Sequence, residues 1–263
     1  MAIFFDSLGR KVTLPSIPQR IISTVPSQTE LLHSLELDDK VIGITKFCTY
    51  PHLWYKTKDR IGGTKNLNIQ KIKKLLPDLI IANKEENNEE QILELGKDFP
   101  IWVSDVATYE DALKMIHIVG VMTGKEEKAT QLVQEIEVEF KKLNAYPPKI
   151  LKSVYLIWKD PYMAVGGGTF INDMLCKSGF SNVFKNYSRY PQIEIDELVQ
   201  ISPDILMLSS EPYPFQEKHL LELQPLLPHT KIVLVNGELF SWYGSRMVYA
   251  PAYFASLRQQ IVG

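Results

Sequence analysis

Aromatic side chains that follow strand-like apolar runs are the residues of this chain best placed to do chemistry, and what they offer is broad contact with a large flat or macrocyclic ligand. Such a ligand is held chiefly by buried aromatic area, with a few polar groups fixing its orientation. Phe47, Tyr50 and Trp54 follow one such run; Trp158 and Tyr162, Tyr187 and Tyr190, and Trp242 and Tyr243 follow others. Any one of them serves equally well as core packing. Their shared position in loops after strands, where packing is least expected, favours a binding surface for the set. Arg246 suits a ligand carboxylate or phosphate and equally an internal ion pair. Glu86 lies in the acidic run Glu85 to Glu90, which reads first as a solvated helix start favourable to the dipole and second as a carboxylate near the ligand. Gly62-Gly63 and Gly166 to Gly168 fall at comparable places in the two halves. Gly167 and its neighbours read as a close-approach turn capped by Thr169, with an anion cradle as the lesser alternative, because the trailing Lys-Ser/Thr of a phosphate loop is missing.

Other chemistries find less support. His33 and His117 fall on helical segments among apolar neighbours, His219 and His229 on a surface-like helix and loop, and only His52 lies beside a proposed binding loop. A direct zinc or manganese site is therefore not expected, and His52 is left as a candidate axial ligand to cobalt or haem iron. Cys48 and Cys176, one in each half, give neither a disulfide framework nor a metal spacing. There is no Gly-x-Ser-x-Gly elbow, no paired Cys and His, and no distinctive carboxylate pair, so no catalysis is expected. With 29 basic and 31 acidic side chains and a formal net charge of -2, no electrostatic footprint for nucleic acid or an anionic membrane is present. No apolar run is long enough to span a bilayer, and the first residues carry no basic-then-apolar leader pattern. A periplasmic or extracytoplasmic location is expected if a leader has been removed, and a cytoplasmic one stays open.

The elements that must position these residues are written twice. Ile69-Gln-Lys-Ile-Lys-Lys-Leu-Leu-Pro-Asp-Leu-Ile-Ile and Ile195-Asp-Glu-Leu-Val-Gln-Ile-Ser-Pro-Asp-Ile-Leu-Met each read as an amphipathic helix stopped by proline and followed by a buried strand. Around them strands alternate with helices: a peripheral hairpin over 1–19, strands at Arg20 to Ser23, Val41 to Thr45, Asp78 to Asn83 and Ile101 to Ser104, then Ser153 to Trp158, Asp204 to Leu208 and Ile232 to Asn236. Pro26 to Glu30 offer helix caps before Leu31, and a closing helix runs from Ala250 to Ile261. The pattern predicts an α/β fold of two Rossmann-like lobes with mainly parallel sheets. Between the halves, Tyr109 to Asn144 is almost free of strand signals and rich in Glu, Lys, Ala and Leu, with a break expected at Gly124; beyond it the stripe Ala129, Leu132, Val133, Ile136, Phe140 and Leu143 predicts a long connecting helix ended by Tyr146-Pro-Pro148. The expected domains are an N-terminal lobe over 1–122, a connecting helix over 123–146 and a C-terminal lobe over 147–263, with ligand in a cleft between the lobes.

Arg20-Ile-Ile-Ser, Pro26-Ser-Gln-Thr-Glu-Leu-Leu32, Val41-Ile-Gly-Ile-Thr, Phe47-Cys-Thr-Tyr-Pro51, Ile61-Gly-Gly-Thr-Lys-Asn66, the opening Asp6-x-x-Gly-Arg-x-Val-x-Leu-Pro15 and both Pro-Asp motifs resemble the periplasmic-binding-protein branch called helical-backbone metal receptors. These are substrate-binding proteins of ABC importers for cobalamin, iron siderophores, haem or metal ions. The chain is most similar to the cobalamin-binding members, through Tyr50-Pro51, the Asn-x-x-x-Ile helix entry and Pro191-Gln192. It departs from them at Thr64, where they carry tryptophan, and at Leu239-Phe240, where they carry Trp-Phe.

The resemblance implies a receptor, not an enzyme, with no intrinsic cofactor and with a metal-containing cargo, cobalamin or another corrinoid ahead of ferric siderophore or haem. Its ligand contacts would be Ser27, Phe47, Tyr50, Thr64, Lys65 and Glu86 from the first half, and Trp158, Tyr162, Gly167, Tyr190, Trp242, Tyr243 and Arg246 from the second. Partners would be the ABC permease and ATPase. The family docks one acidic residue per lobe on the permease, seven positions before each motif proline; here those positions are Gln70 and Asp196. A two-lobed enzyme using a nucleotide sugar is the rival of another class; it does not account for the long connecting helix.

Overall fold

The computed structural model describes residues 1–143 and 150–262. Its contacts divide the chain into two compact units: Met1–Val106, Glu110–Glu135 and Tyr243–Arg246 form the first, and Ala107–Tyr109, Ile136–Trp242 and Met247–Gly263 the second. The first unit opens with the hairpin β1 (Ala2–Phe5) and β2 (Lys11–Leu14), paired antiparallel. Its turn is fixed by Asp6, whose carboxylate accepts from Leu8 N, Arg10 N and Arg10 Nε at 2.8–2.9 Å. There follow β3 (Ile21–Ser23), α1 (Pro26–Ser34), β4 (Val41–Ile44), α2 (His52–Thr57), β5 (Asp59–Arg60), α3 (Ile69–Leu75), β6 (Leu79–Asn83), α4 (Glu89–Leu95) and β7 (Ile101–Ser104). The sheet runs in the order β5-β4-β3-β6-β7, every pair parallel.

After β7 come α5 (Tyr109–Thr123) and α6 (Glu126–Leu143), separated by a turn in which Gly124 takes φ +71°. The division between the units falls inside α6, between Glu135 and Ile136. The expected terminator Tyr146-Pro-Pro148 lies outside the described residues. The second unit holds β8 (Leu151–Trp158), β9 (Met163–Ala164), α7 (Phe170–Lys177), β10 (Phe180–Asn182), α8 (Ile195–Ile201), β11 (Ile205–Ser209), α9 (Glu217–Leu223), β12 (Lys231–Val235), α10 (Gly237–Ser241) and α11 (Ala250–Val262). Its parallel sheet runs β10-β8-β11-β12, with β9 folded back antiparallel on β8.

The two sheets are wound alike. Each starts at a central strand (β3, β8), moves outward, then crosses to the other side through the strand after a Pro-Asp motif (β6, β11), so strand order reverses between β3 and β6 and between β8 and β11. The motif itself explains this placement. Helices α3 and α8 end on left-handed residues, Leu76 at φ 46° and Ser202 at φ 44°, and proline then forbids continuation. The aspartate that follows pins the start of the neighbouring central strand: Asp78 accepts from Gln19 N at 2.7 Å and Arg20 N at 2.8 Å, and Asp204 from Lys152 N at 2.7 Å. Arg20 in turn donates to the carbonyls of Leu75 and Leu76, two of the acceptors that the end of α3 leaves open.

One local expectation changes. The polar residues before Leu31 do not cap α1; Val25 is the cap residue, Pro26 occupies the first turn, and Ser27, Gln28 and Thr29 are buried inside the helix. Proline is suited to that first position, where an N–H has no intrahelical partner. Short elements such as α2, β5, β9 and α10 had no readable periodicity, because two to six residues are too few for a face to repeat.

Candidate ligand-binding site

In open α/β sheets ligands meet the carboxyl ends of the strands where the strand order reverses. In the first unit that edge is built around Ser23, Thr24, Asn83 and Ser104. Asn83 donates to Ser104 O and Oγ at 3.1 Å each and accepts from Glu85 N and Glu86 N at 2.9 Å each, which turns the acidic run back over the edge. Thr24 Oγ1 donates to Asn87 Oδ1 at 2.8 Å, Asn87 Nδ2 to Thr64 O at 3.0 Å, and Lys65 Nζ to Glu85 O at 2.6 Å. Thr64 and Lys65 therefore hold the Glu85–Asn87 turn, leaving Glu86 exposed on it. Cys48 is sealed beneath, 3.1 Å from both Thr29 Oγ1 and Thr45 Oγ1; burial pushes its thiol pKa up, which makes it an inert packing group.

The aromatics sort into two sets. Phe47 and Tyr50 are 52 % and 40 % exposed, far more than core rings tolerate. Each is held by a cation, Lys46 Nζ 5.0 Å from the Phe47 ring centre and the Arg246 guanidinium 5.2 Å from that of Tyr50. Trp54, by contrast, is buried, with its indole N–H donated to Asp38 at 2.8 Å, and belongs to the core.

Tyr243 and Arg246, expected with the second half, pack in the first unit. Gly244 brings the backbone against α1: a Cβ there would touch Leu31 Cβ at 3.4 Å and Ser27 O at 3.5 Å. The buried Tyr243 hydroxyl sits with Ser27 and Ser104, and burial, then the charge of Glu86, pushes its pKa well above the ordinary value. Arg246 grips Glu30 with both ends of its fork, Nε to Oε2 at 2.8 Å and a terminal nitrogen to Oε1 at 3.2 Å. Arg246 thus makes the internal ion pair, one of its two expected roles, and its guanidinium lies over the Tyr50 ring.

At the carboxyl edge of the second sheet, Trp158 is 40 % exposed and meets Tyr213 edge-on, ring centres 5.7 Å apart. Trp242 is half-buried, its indole N–H donated to Glu211 Oε1 at 2.9 Å. Tyr190 is half-buried on the loop after β10, whereas Tyr162 packs on the core of this unit and burial raises its pKa. Gly167 does not cradle an anion. Gly166 N and Gly167 N donate to Arg189 O and Tyr187 O at 2.6 and 2.7 Å, and Arg189 N returns a bond to Gly167 O at 2.9 Å, so these groups are used within the fold. Thr169 caps α7 as expected, accepting from Asn172 N at 3.2 Å.

His219 is a further correction, because it is buried, not on the surface. Its Nδ1 accepts from Gln216 N at 2.9 Å, as the third residue of a capping box does for α9, so Nε2 carries the ring proton, 3.3 Å from Tyr213 OH. Burial first, then Lys159 and Lys218, lowers its pKa below 6.5. The unfolded chain therefore takes up the proton more readily, and stability falls as pH drops below 6.5 toward the folded value. The melting temperature should decline between pH 7 and pH 5 more steeply in the wild type than in His219→Gln, whose amide oxygen can cap without titrating. Parallel curves for the two proteins would contradict this assignment.

Gln70 and Asp196 are both exposed and both stand second in their helices, α3 and α8. Among the described residues no group of three or more His, Cys, Asp and Glu side chains is arranged to hold a metal ion, and no helix is long and apolar enough to cross a membrane.

Comparison with known proteins agrees with this architecture. A family model described as Periplasmic binding protein matches residues 21–231. An uncharacterized ABC transporter substrate-binding lipoprotein, YvrC of Bacillus subtilis, is 29 % identical over 213 residues, covering 77 % of this chain and 67 % of its own. A vitamin B12-binding protein of Vibrio campbellii is 27 % identical over 195 residues, covering 73 % and 70 %. Among solved structures, the periplasmic vitamin B12 binding protein BtuF of Vibrio cholerae superposes with a TM-score of 0.79 at 20 % identity over 94 % of this chain and 99 % of that one, which establishes a shared fold. The relatives are binding proteins, so the nucleotide-sugar enzyme has no support. This chain belongs to the periplasmic binding protein family.

Proposed function

We propose that the protein is the cargo receptor of an ABC importer and takes a metal-containing cofactor, a corrinoid ahead of a ferric siderophore or haem. The observation that carries this reading is the exposed pair Phe47 and Tyr50 at the carboxyl edge of the first sheet, each ring held in place by a cation. Two exposed rings so close in sequence at a strand-end edge offer a flat partner apolar area to cover. Trp158, Tyr190 and Trp242 are the corresponding contacts from the second sheet, and the name of the vitamin B12-binding relative favours the corrinoid. Ser27, Thr64, Lys65, Tyr162, Gly167, Tyr243 and Arg246 support or shape these loops, and Glu86 remains the exposed polar contact. An extracytoplasmic location and a permease–ATPase partner follow from the same reading, with Asp196 and the uncharged Gln70 facing the permease.

Calorimetric titration with cyanocobalamin, haem and ferric siderophores should give saturable binding of one of them, cyanocobalamin first. Phe47→Ala with Tyr50→Ala should weaken it by about 2 kcal/mol, roughly thirtyfold. Asp196→Ala should bind cargo like the wild type and support less uptake. Binding of none of the three, or equal loss of binding and uptake in Asp196→Ala, would sink the respective claim.

A further inference from the structure

Trp242 is held by an acid that carries no motif in the sequence. Glu211 follows β11 by two residues, beside the point where strand order reverses between β8 and β11. Its backbone is fixed first, by Ser209 Oγ donating to Glu211 O at 2.6 Å. Its side chain then runs past the first turn of α10, where only glycine leaves room: a Cβ on Gly237 would meet Ser209 Oγ first and lie 2.7 Å from Glu211 Cγ. One oxygen, Oε1, receives both Ser241 Oγ at 2.6 Å and the Trp242 indole N–H at 2.9 Å. Both donors sit at the far end of α10, and Trp242 is the residue that closes that helix, its own N–H donated to Glu238 O at 2.9 Å.

Hydrogen bonds to an ionised acceptor are about twice as strong as neutral ones. An indole bonded in this way is fixed in its plane, and its only polar atom is consumed. We propose that Glu211 is a positioning residue for cargo binding, which locks the Trp242 ring in its plane and takes up its indole N–H, so that cargo meets no hydrogen-bond donor there. This rests on the reading of Trp242 as a cargo contact. It extends that reading to specificity: the second unit selects at this point for a flat apolar surface, such as the face of a macrocycle, over a carbonyl or carboxylate seeking an N–H.

The test has one arm without cargo and one with it. The protein has four tryptophans, so its indole N–H groups give few NMR signals in a 15N-tryptophan sample, and Trp242→Phe identifies the one from Trp242. In Glu211→Ala and in Gly237→Ala that signal should move upfield and exchange faster with water, while Glu211→Gln, which keeps an acceptor but loses its charge, should move it less than Glu211→Ala does. With cyanocobalamin as probe, Glu211→Ala should lose about tenfold in affinity. Glu211→Gln should stay within about threefold, and Glu211→Ala should cost nothing more when Trp242 is already phenylalanine. An unmoved indole signal in Glu211→Ala overturns the lock. A moved signal with unchanged affinity overturns its role in cargo binding. Wild-type protein that binds no probe defeats the cargo reading itself, and the cargo-free NMR arm then decides the lock alone.

Discussion

Gly120→Ala should lower the stability of the protein by about 2–3 kcal/mol, although alanine is the better helix former by about 1 kcal/mol. The reason is the crossing of α5 and α6. A Cβ on Gly120 would stand 2.2 Å from Ala129 Cβ and 3.2 Å from Lys125 O. Carbon atoms pack at about 3.5–4.0 Å, so the helices would have to part by more than an ångström, which loosens every contact along the seam. Neither atom belongs to a rotatable chain, so no side-chain adjustment relieves the clash. Ala129→Gly in the same molecule removes the obstructing atom, and helix propensity then cancels between the two changes. The double variant should recover most of the loss in urea denaturation; a double variant no more stable than Gly120→Ala alone would mean that the clash is not the cause.

Gly167→Ala should cost about 3 kcal/mol, chiefly in the second unit. Its Cβ would lie 2.1 Å from the backbone oxygen of Lys185, and a backbone oxygen can move only if the whole 185–189 loop moves. That loop is tied to Gly166 and Gly167 by the three hydrogen bonds through Tyr187 and Arg189, so the change should also displace Tyr190 and reduce cargo affinity. Gly168 is the control. It adopts φ +71°, but a Cβ added there would meet nothing within 4 Å, so Gly168→Ala should lose only the cost of left-handed backbone, about 1 kcal/mol. Equal loss at both positions would show that backbone conformation, not close approach, sets the requirement for glycine here.

Much of the fold could be read from the chain because it rests on local signals. The helix–Pro–Asp–strand motif announces itself twice through spacing alone, and the structure adds only what the aspartates do, namely tie down the starts of β3 and β8. Gly124, Thr169 and the stripe of α6 were legible for the same reason. The surroundings of the candidate site residues were less legible. Exposed rings at strand ends could be named, but whether a given ring faces solvent, as Phe47 does, or the core, as Trp54 does, depends on partners far away in sequence. The Glu30–Arg246 pair joins residues 216 apart, and no periodicity carries such information. His219 misled for a related reason, since a polar residue at the start of a helix reads as surface until its bond to Gln216 N is seen. Glu211 left no trace in the sequence beyond being one acid among many.

The composition of the first unit has a consequence for how the protein is made. Residues 1–106 and 110–135 leave the ribosome early, but the unit they form also needs Tyr243–Arg246. Until those four residues arrive, Glu30 lacks its arginine and the Tyr50 ring its guanidinium, so a nascent chain that already holds residues 1–135 still carries an open polar seam. A unit built mostly from residues 1–135 thus waits for a stretch more than a hundred residues downstream, and a chain cut short after Trp242 would leave it permanently unsealed.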